Sequence, residues 1–184
     1  FALGVTGWQD AIVGSYLGQP DPLDTYLRAD AGGRLRARVT GALWWDRERG
    51  LDQLDDLRER RSAAAAGRRF ATPAVKIMLD GVAENFTAAM TRPYRDAHGR
   101  DTGNAGLSFV DPAALCEYVT RLDAEGFQVH FHALGDRAVR EALDAVEAAR
   151  DRNGPRGGRH HLAHLQVVQA ADVPRFGQLG AAAN

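Results

Sequence analysis

Two histidines lie two residues apart at the end of a short apolar segment, Phe-Gln-Val-His130-Phe-His132-Ala-Leu-Gly135-Asp136. Alternate side chains of a β-strand share a face, so this spacing places His130 and His132 on the same side of a strand. Imidazole nitrogens are common ligands of zinc and similar ions. Because a Gly-Asp turn follows directly, the pattern predicts a metal centre where a strand leads into a helix.

Within this pair, His132 lies nearer the turn and is the better ligand candidate, whereas His130 is one layer deeper and is expected to support it. His164 ends another predicted strand and is a further ligand candidate. By the alternation of a strand, His160 shares a face with His164, and His161 faces the other side as a surface or supporting group. His98, in a polar segment, is expected in an exposed loop.

A lysine, Lys76, lies within the apolar segment that forms the third predicted strand. A buried ammonium group is costly unless it is paired, neutralised or modified. Three interpretations are open. Lys76 could pair with an acid such as Asp80 or Glu84, act as a Schiff-base nucleophile, or become a carbamylated bridge between metal ions.

Short apolar segments alternate with amphipathic ones along the whole chain, which is typical of a parallel sheet with covering helices. Strands are predicted near residues 4–8, 34–45, 74–79, 127–132 and 159–164, with another beginning at 180. Asp21-Pro22 and Asp111-Pro112 each place an N-cap before a first-turn proline, and Asp136 is expected to cap a helix over 137–150. The stretch 81–110 has no clear periodicity, and a loop of that length is usually functional or disordered.

About six strand–helix units are visible, whereas a closed (β/α)₈ barrel needs eight. No Gly-x-Gly-x-x-Gly follows a strand, which argues against a dinucleotide-binding doubly wound sheet. The predicted fold class is therefore α/β, and a chain that ends at residue 184, just as a new strand begins, is expected to be part of a larger sheet. Residues 1–184 are expected to be the central part of one domain.

The composition excludes several classes of protein. The chain is 26% charged and 45% hydrophobic, with a formal net charge of -1. This composition argues against a disordered chain and gives no electrostatic reason to expect binding of nucleic acid. No apolar run approaches the roughly 18 residues that span a bilayer, and no signal peptide is visible. The arginines at 58–61 and 68–69 are expected to be solvated surface. The single Cys116, expected to be buried in a helix, fits a reducing cytoplasm.

Five blocks of the chain, in order, resemble the amidohydrolase superfamily, and within it amidohydrolase family 3, which includes N-substituted formamide deformylases. These blocks are Gly4–Asp10, Val75–Asn85, Thr87–Met90 with Pro93-Tyr94, His130–Ala138, and His161–Gln166 followed by Asp172–Phe176 and Leu179-Gly180. Members of the superfamily are (β/α)₈ metal-dependent hydrolases, so the resemblance implies a partial TIM-type (β/α)₈ barrel that lacks its first and last strands. The resemblance covers essentially the whole chain.

The resemblance implies a role for each matching residue. The implied catalytic and metal-binding residues are Lys76, His132 and His164, and Lys76 is carbamylated where the site holds two ions. The residues implied to line the substrate pocket are Asp80, Gly81, Tyr94 and His130. Asp136 is implied to support the metal ligands through hydrogen bonds or to cap its helix. The implied reaction is hydrolysis of an amide or other non-peptide C–N bond by metal-activated water, with one or two divalent ions, zinc being preferred.

Two departures from the family pattern bear on this assignment. The family's strand-one His-x-His and strand-eight aspartate are expected before residue 1 and after residue 184, so the chain alone should be weakly active or inactive. Ala163 stands where many relatives have an acid. The alternatives are a non-catalytic interaction module of the same fold and, less favoured, a lyase that uses Lys76 as a Schiff base. The expected partners are a small amide-like substrate and a second copy paired through exposed strand edges.

Overall fold

The computed structural model of the protein describes residues 2–184. In this range, six strands alternate with five α-helices. They are β1 (Gly7–Val13), α1 (Leu23–Ala31), β2 (Arg38–Trp44), α2 (Leu54–Ala65), β3 (Phe70–Met78), α3 (Pro112–Ala124), β4 (Gln128–Ala133), α4 (Asp136–Asn153), β5 (His161–His164), α5 (Val173–Leu179) and β6 (Ala182–Ala183). Short 3-10 helices cover Gly50–Gln53 and Ala83–Asn85.

The strands follow one another across the sheet in chain order. The pairs β1–β2, β2–β3, β4–β5 and β5–β6 are parallel. This order, with a helix between successive strands, confirms the predicted partial (β/α) barrel. The chain divides into two compact units, residues 1–76 and 77–184, and the division falls within β3. Among residues 2–184, no helix combines the length and apolar character needed to cross a membrane.

In the first unit, the strands lie where apolar residues recur, although their ends differ from the prediction. β1 begins at Gly7 and continues to Val13 instead of ending at Trp8. β3 begins at Phe70, before the predicted start, and includes Pro73. The pairing of β3 with β2 shifts register around this proline, because a residue without an N–H is tolerated in a strand at a bulge.

A buried carboxylate, that of Asp30 at the end of α1, fixes the start of β3. One of its oxygens accepts the backbone N–H groups of Arg68, Arg69 and Phe70 at 2.9, 3.1 and 3.1 Å. These hydrogen bonds lower the pKa of Asp30. Tyr26, one turn earlier in α1, stacks on Phe70 with ring centroids 4.6 Å apart, so polar and apolar contacts hold the same strand end.

In the second unit, α3 and α4 pack together along two apolar stripes, one on each helix. These stripes are fully or almost fully buried and consist of Leu115, Val119 and Leu122 on α3 with Val139, Leu143 and Val146 on α4. Asp111 caps α3 as predicted, since its side chain accepts the N–H groups of Ala113 and Ala114. Cys116 lies on α3 but is half-buried, so the expected burial is only partial.

The prediction that Asp136 caps α4 is wrong. Gly135 is the N-cap residue, and Asp136 is the first residue of the helix itself. The Asp136 carboxylate instead accepts hydrogen bonds from the backbone and hydroxyl of Thr91 and from the amide of Gln169. It therefore holds two separate loops, one before α3 and one before α5.

We predict that Asp30→Ala lowers the free energy of unfolding by about 2–3 kcal/mol, because three buried N–H groups lose a charged acceptor. Asp30→Asn keeps an oxygen but loses the charge, and should cost less. A carboxyl group with a lowered folded-state pKa stabilises above its ordinary pKa and stops doing so as the pH falls through the folded value. The free energy of unfolding of Asp30→Asn, measured in urea, should therefore fall less at acid pH than that of the natural chain. An equal fall in the two proteins would contradict this role of Asp30.

Candidate metal centre

Two imidazole rings meet where β4 and β5 end. The ring centroids of His132 and His164 are 4.6 Å apart, with an interplanar angle of 65°. The sequence predicted both residues as ligands at strand ends, and the structure places them side by side. His132 is almost buried, whereas His164 is exposed at the rim.

The contact between these rings depends on an unusual backbone conformation. In the β4–β5 register, Ala163 is opposite His132, and His164 is opposite Ala133. A regular strand would therefore turn the His164 side chain away from His132. His164 has φ of 84° and Leu165 has φ of 46°, so the chain leaves strand geometry at His164 and its ring reaches the face of His132. Left-handed residues other than glycine are uncommon and cluster at functional sites.

A second pair of histidines lies one register step deeper. His130 is opposite His161, and their ring centroids are 4.1 Å apart. Both side chains are buried. The prediction that His161 faces away from the ligand side is wrong, because β5 begins at His161 and places this residue on the same face as His130.

His160 has a structural role instead. Its Nδ1 atom accepts the Val129 N–H at 3.0 Å, so its Nε2 atom carries the proton and donates to Asp123 at 3.2 Å. Burial lowers the pKa of His160, which favours this neutral form. Asp123 belongs to α3, so the prediction that His160 shares a face with His164 is also wrong. His98 is exposed in a loop, as predicted.

Behind His132, the fully buried carboxylate of Asp80 joins three backbone segments. It accepts the N–H groups of Leu134, Gly135 and Ala89 at 3.1, 2.9 and 2.9 Å. Burial raises the pKa of Asp80, and these three N–H donors act in the opposite direction. The carboxylate therefore fixes the turn after β4 against the loop that follows β3.

The same region orients the ring of His132. Its Nε2 atom lies 3.2 Å from the carbonyl oxygen of Gly81 and 3.8 Å from a carboxylate oxygen of Asp80. A carbonyl oxygen only accepts hydrogen bonds, so Nε2 carries the proton. In the neutral ring, Nδ1 then has the lone pair. A backbone carbonyl or carboxylate that fixes one ring nitrogen is the usual support of a metal-binding histidine.

Three glycines allow the loop after β3 to pack closely against this turn. A Cβ atom at Gly81, Gly106 or Gly135 would lie 1.9, 1.8 or 2.0 Å from atoms of Thr87, Ala88 or Ala89. The Ala89 carbonyl accepts N–H groups from the first turn of α4. The close packing of backbone on backbone leaves residues 87–89 little freedom.

Tyr94 and Phe86 extend this loop outward. The Tyr94 hydroxyl donates to the Ala88 carbonyl at 2.8 Å, and the Phe86 ring meets the Tyr94 ring edge-on. Phe86 is 54% exposed. The amide of Gln166, two residues after His164, donates to Glu84 at 3.1 Å. The loop is thus connected to the end of β5, a connection that sequence reasoning did not predict.

Lys76 belongs to β3 in the first unit and is 3% exposed. Burial lowers its pKa to about 8, which favours the neutral amine that both a Schiff base and a carbamate require. It is the only lysine in the chain. Its convergence with His132 and His164 stays a prediction, as do the substrate-binding roles of Asp80, Gly81, Tyr94 and His130.

The donors at this site fit a divalent ion in type but not in number. His132 and His164 offer neighbouring imidazoles, and a buried carboxylate supports one of them. Catalytic zinc sites usually have three protein ligands. Among residues 2–184, no three His, Cys, Asp or Glu side chains are grouped so that they could hold a metal ion together.

Comparisons with known proteins show the family to which the chain belongs. A family model described as "Amidohydrolase family" matches residues 2–184. The chain is 27% identical over 177 residues to the Bacillus subtilis protein named "Putative amidohydrolase YtcJ", covering 96% of this chain and 30% of that protein. It is 34% identical over 105 residues to Protein LONG AFTER FAR-RED 3 of Arabidopsis thaliana, covering 57% of this chain and 17% of that protein.

Among solved structures, an uncharacterized metal-dependent hydrolase from Pyrococcus furiosus matches with a TM-score of 0.74 and 26% identity. The match covers 99% of this chain and 34% of that protein. The chain therefore spans about a third or less of the length of these relatives.

We predict that the backbone at residue 164 tolerates substitutions in the order of their left-handed preference. His164→Gly and His164→Asn should be as stable as the natural chain or more so, whereas the β-branched His164→Val should lose about 1–2 kcal/mol. Urea unfolding measures the series. Equal stability of the valine and asparagine variants would contradict the left-handed conformation that brings the two rings together.

Proposed function

Because the chain belongs to the amidohydrolase family, we propose that the protein containing it is a metal-dependent hydrolase of an amide or another non-peptide C–N bond. The observation that supports this proposal most strongly is the meeting of the His132 and His164 rings at neighbouring strand ends, 4.6 Å apart. In parallel βα structures, the C-terminal strand ends are where catalytic groups are placed.

His132 and His164 would hold the metal. We propose that the site holds one or two zinc ions. Neutral imidazoles suit a borderline ion of this kind. Such an ion would supply Lewis-acid activation of water and of the scissile carbonyl. The chain's own contribution is orientation: Gly81 and Asp80 fix the ring of His132, and the backbone of residues 164–165 directs the ring of His164.

The third ligand that we propose is a carbamate on Lys76. Its neutral amine adds to carbon dioxide, forming an N–C bond and releasing one proton, and the product is an anionic oxygen donor. Burial lowers the pKa of Lys76 to about 8, so a larger fraction of its amine is neutral than in an exposed lysine. Lysine is almost never fully buried unless it is paired, so the buried position of Lys76 argues against an ordinary surface cation.

The loop after β3 would contact the substrate. Phe86 and Tyr94 offer aromatic surface, and Glu84 with Gln166 offers polar groups close to the end of β5. This combination suits a mid-sized, partly apolar amide. The identity of the substrate is left open by these residues.

We predict that His132→Ala and His164→Ala each weaken zinc binding by at least about 100-fold, because each removes a direct ligand. The matched control is His98→Ala, the same substitution in an exposed loop, which should retain the metal. Elemental analysis after dialysis against a chelator buffer measures the difference. Zinc retained equally by all three variants would contradict the proposed site.

The same proteins test the reaction. Formanilide, an N-substituted formamide, is a suitable probe because its hydrolysis breaks a non-peptide C–N bond. Chelation should abolish turnover by the natural protein, and zinc should restore it. If the protein holds no metal and shows no chelator-sensitive hydrolysis of formamides or other amides, the non-catalytic interaction module is the better account.

For Lys76, we predict one carbamate signal in the carbon-13 NMR spectrum after incubation with labelled bicarbonate. Because the chain has a single lysine, Lys76→Arg should remove the signal from this part of the protein, and hydrolysis should fall by about 100-fold or more. The competing Schiff-base lyase predicts instead that borohydride traps a substrate adduct on Lys76. Such trapping, without any dependence on metal, would contradict the hydrolase.

A further inference from the structure

Five arginines of the first unit lie around the N-terminal ends of β2 and β3. We call Arg34, Arg36, Arg38, Arg68 and Arg69 the arginine patch. The two segments are adjacent because the Val39 N–H donates to the Arg69 carbonyl at 2.7 Å, and Val39 is in register with Phe70. The backbone at the start of β2 therefore lies beside the segment that carries Arg68 and Arg69.

The arginine patch has an acid beside it, Asp30, whose charge interacts with that of Arg69. All five side chains are exposed, and among residues 2–184 none of them forms an ion pair. The nearby acid, Asp30, is buried and directs one oxygen to three backbone N–H groups. Of the five, Arg38, Arg68 and Arg69 line one cavity, in a chain whose formal net charge is -1.

A cavity of about 580 Å³ opens within this surface. It is lined by Arg38, Arg68 and Arg69 together with Asp30, Gly33 and Leu35. The backbone N–H groups of residues 68–70 donate to Asp30. Arg68 and Arg69 therefore extend from a fixed segment of backbone.

The chemistry of the lining selects a class of ligand. A guanidinium group presents a planar fork of N–H donors that matches the oxygen pairs of phosphate and carboxylate groups. The cavity has no aromatic lining, so it lacks the stacking surface on which a nucleic-acid base would rest. Its volume exceeds the space that one phosphate needs and allows several linked phosphates to contact several arginines.

We propose that the arginine patch is a binding site for a small multivalent phosphate anion, held by forked hydrogen bonds from Arg38, Arg68 and Arg69. This site is independent of the proposed hydrolase activity. It lies at the N-terminal ends of its strands, whereas His132 and His164 lie at the C-terminal ends of theirs.

Isothermal titration of the purified protein with inorganic tripolyphosphate tests the proposal. Arg68→Gln combined with Arg69→Gln should weaken binding at least tenfold. The side-chain changes leave the backbone N–H donors to Asp30 in place. The matched control, Arg121→Gln with Arg152→Gln, removes two exposed helix charges and should change the affinity by less than twofold. Replacing Arg68 and Arg69 with lysine keeps the charge but loses the fork, and should give intermediate binding.

Three outcomes would overturn the proposal. One is equal weakening by the patch and control pairs, which would indicate general attraction of charge. Another is binding that the glutamine variants do not change while their urea unfolding matches the natural protein. The third is tighter binding of citrate than of tripolyphosphate, which would assign the patch to carboxylates instead of phosphates. If the glutamine variants prove unstable, the variant with lysine at positions 68 and 69 decides. Weaker binding of tripolyphosphate than by the natural protein supports the forked hydrogen bonds, and unchanged binding overturns the proposal.

Discussion

The buried carboxylate of Asp80 is the constraint on which the candidate metal centre depends. It accepts backbone N–H groups from the turn after β4 and from the loop after β3. An acid with no exposed surface is costly unless its oxygens are hydrogen-bonded. Its three donors offset that cost, and in doing so they fix the positions of Gly81 and the His132 ring. The proposed metal binding therefore depends on a turn that these hydrogen bonds hold in place.

The histidines are arranged in two layers on this rigid base. His130 and His161 form the inner pair, and His132 and His164 form the outer pair at the strand ends. Regular pairing between β4 and β5 explains the inner pair. The outer pair requires the left-handed backbone at His164. Backbone strain of this kind is retained when the surrounding structure over-determines it, and it is common where side chains must be aimed at a ligand.

Much of this arrangement could be predicted from local sequence patterns. The Asp111-Pro112 cap and the apolar stripes of α3 and α4 follow from helix chemistry, and His132 and His164 were identified from their places at strand ends. The assignments of His160 and His161 failed because both faces were inferred from His164. The left-handed backbone at His164 breaks the alternation, whereas His161 obeys it, and His160 lies before the first residue of β5.

Other features could not be predicted, because they join residues far apart in the chain. The contacts of Asp136 with Thr91 and Gln169 span 45 and 33 residues, and the cap position alone gives no sign of them. Likewise, Arg38 and Arg69 each have the appearance of ordinary surface charge. Only the pairing of β2 with β3 brings them together.

The most direct test of the account is a crystal structure of the zinc-loaded protein with anomalous scattering recorded at the zinc edge. The account predicts a peak within coordination distance, about 2.0–2.1 Å, of a nitrogen of His132 and a nitrogen of His164, with Nδ1 as the coordinating atom of His132. A zinc ion bound elsewhere, with both rings outside its coordination sphere, would contradict the central claim.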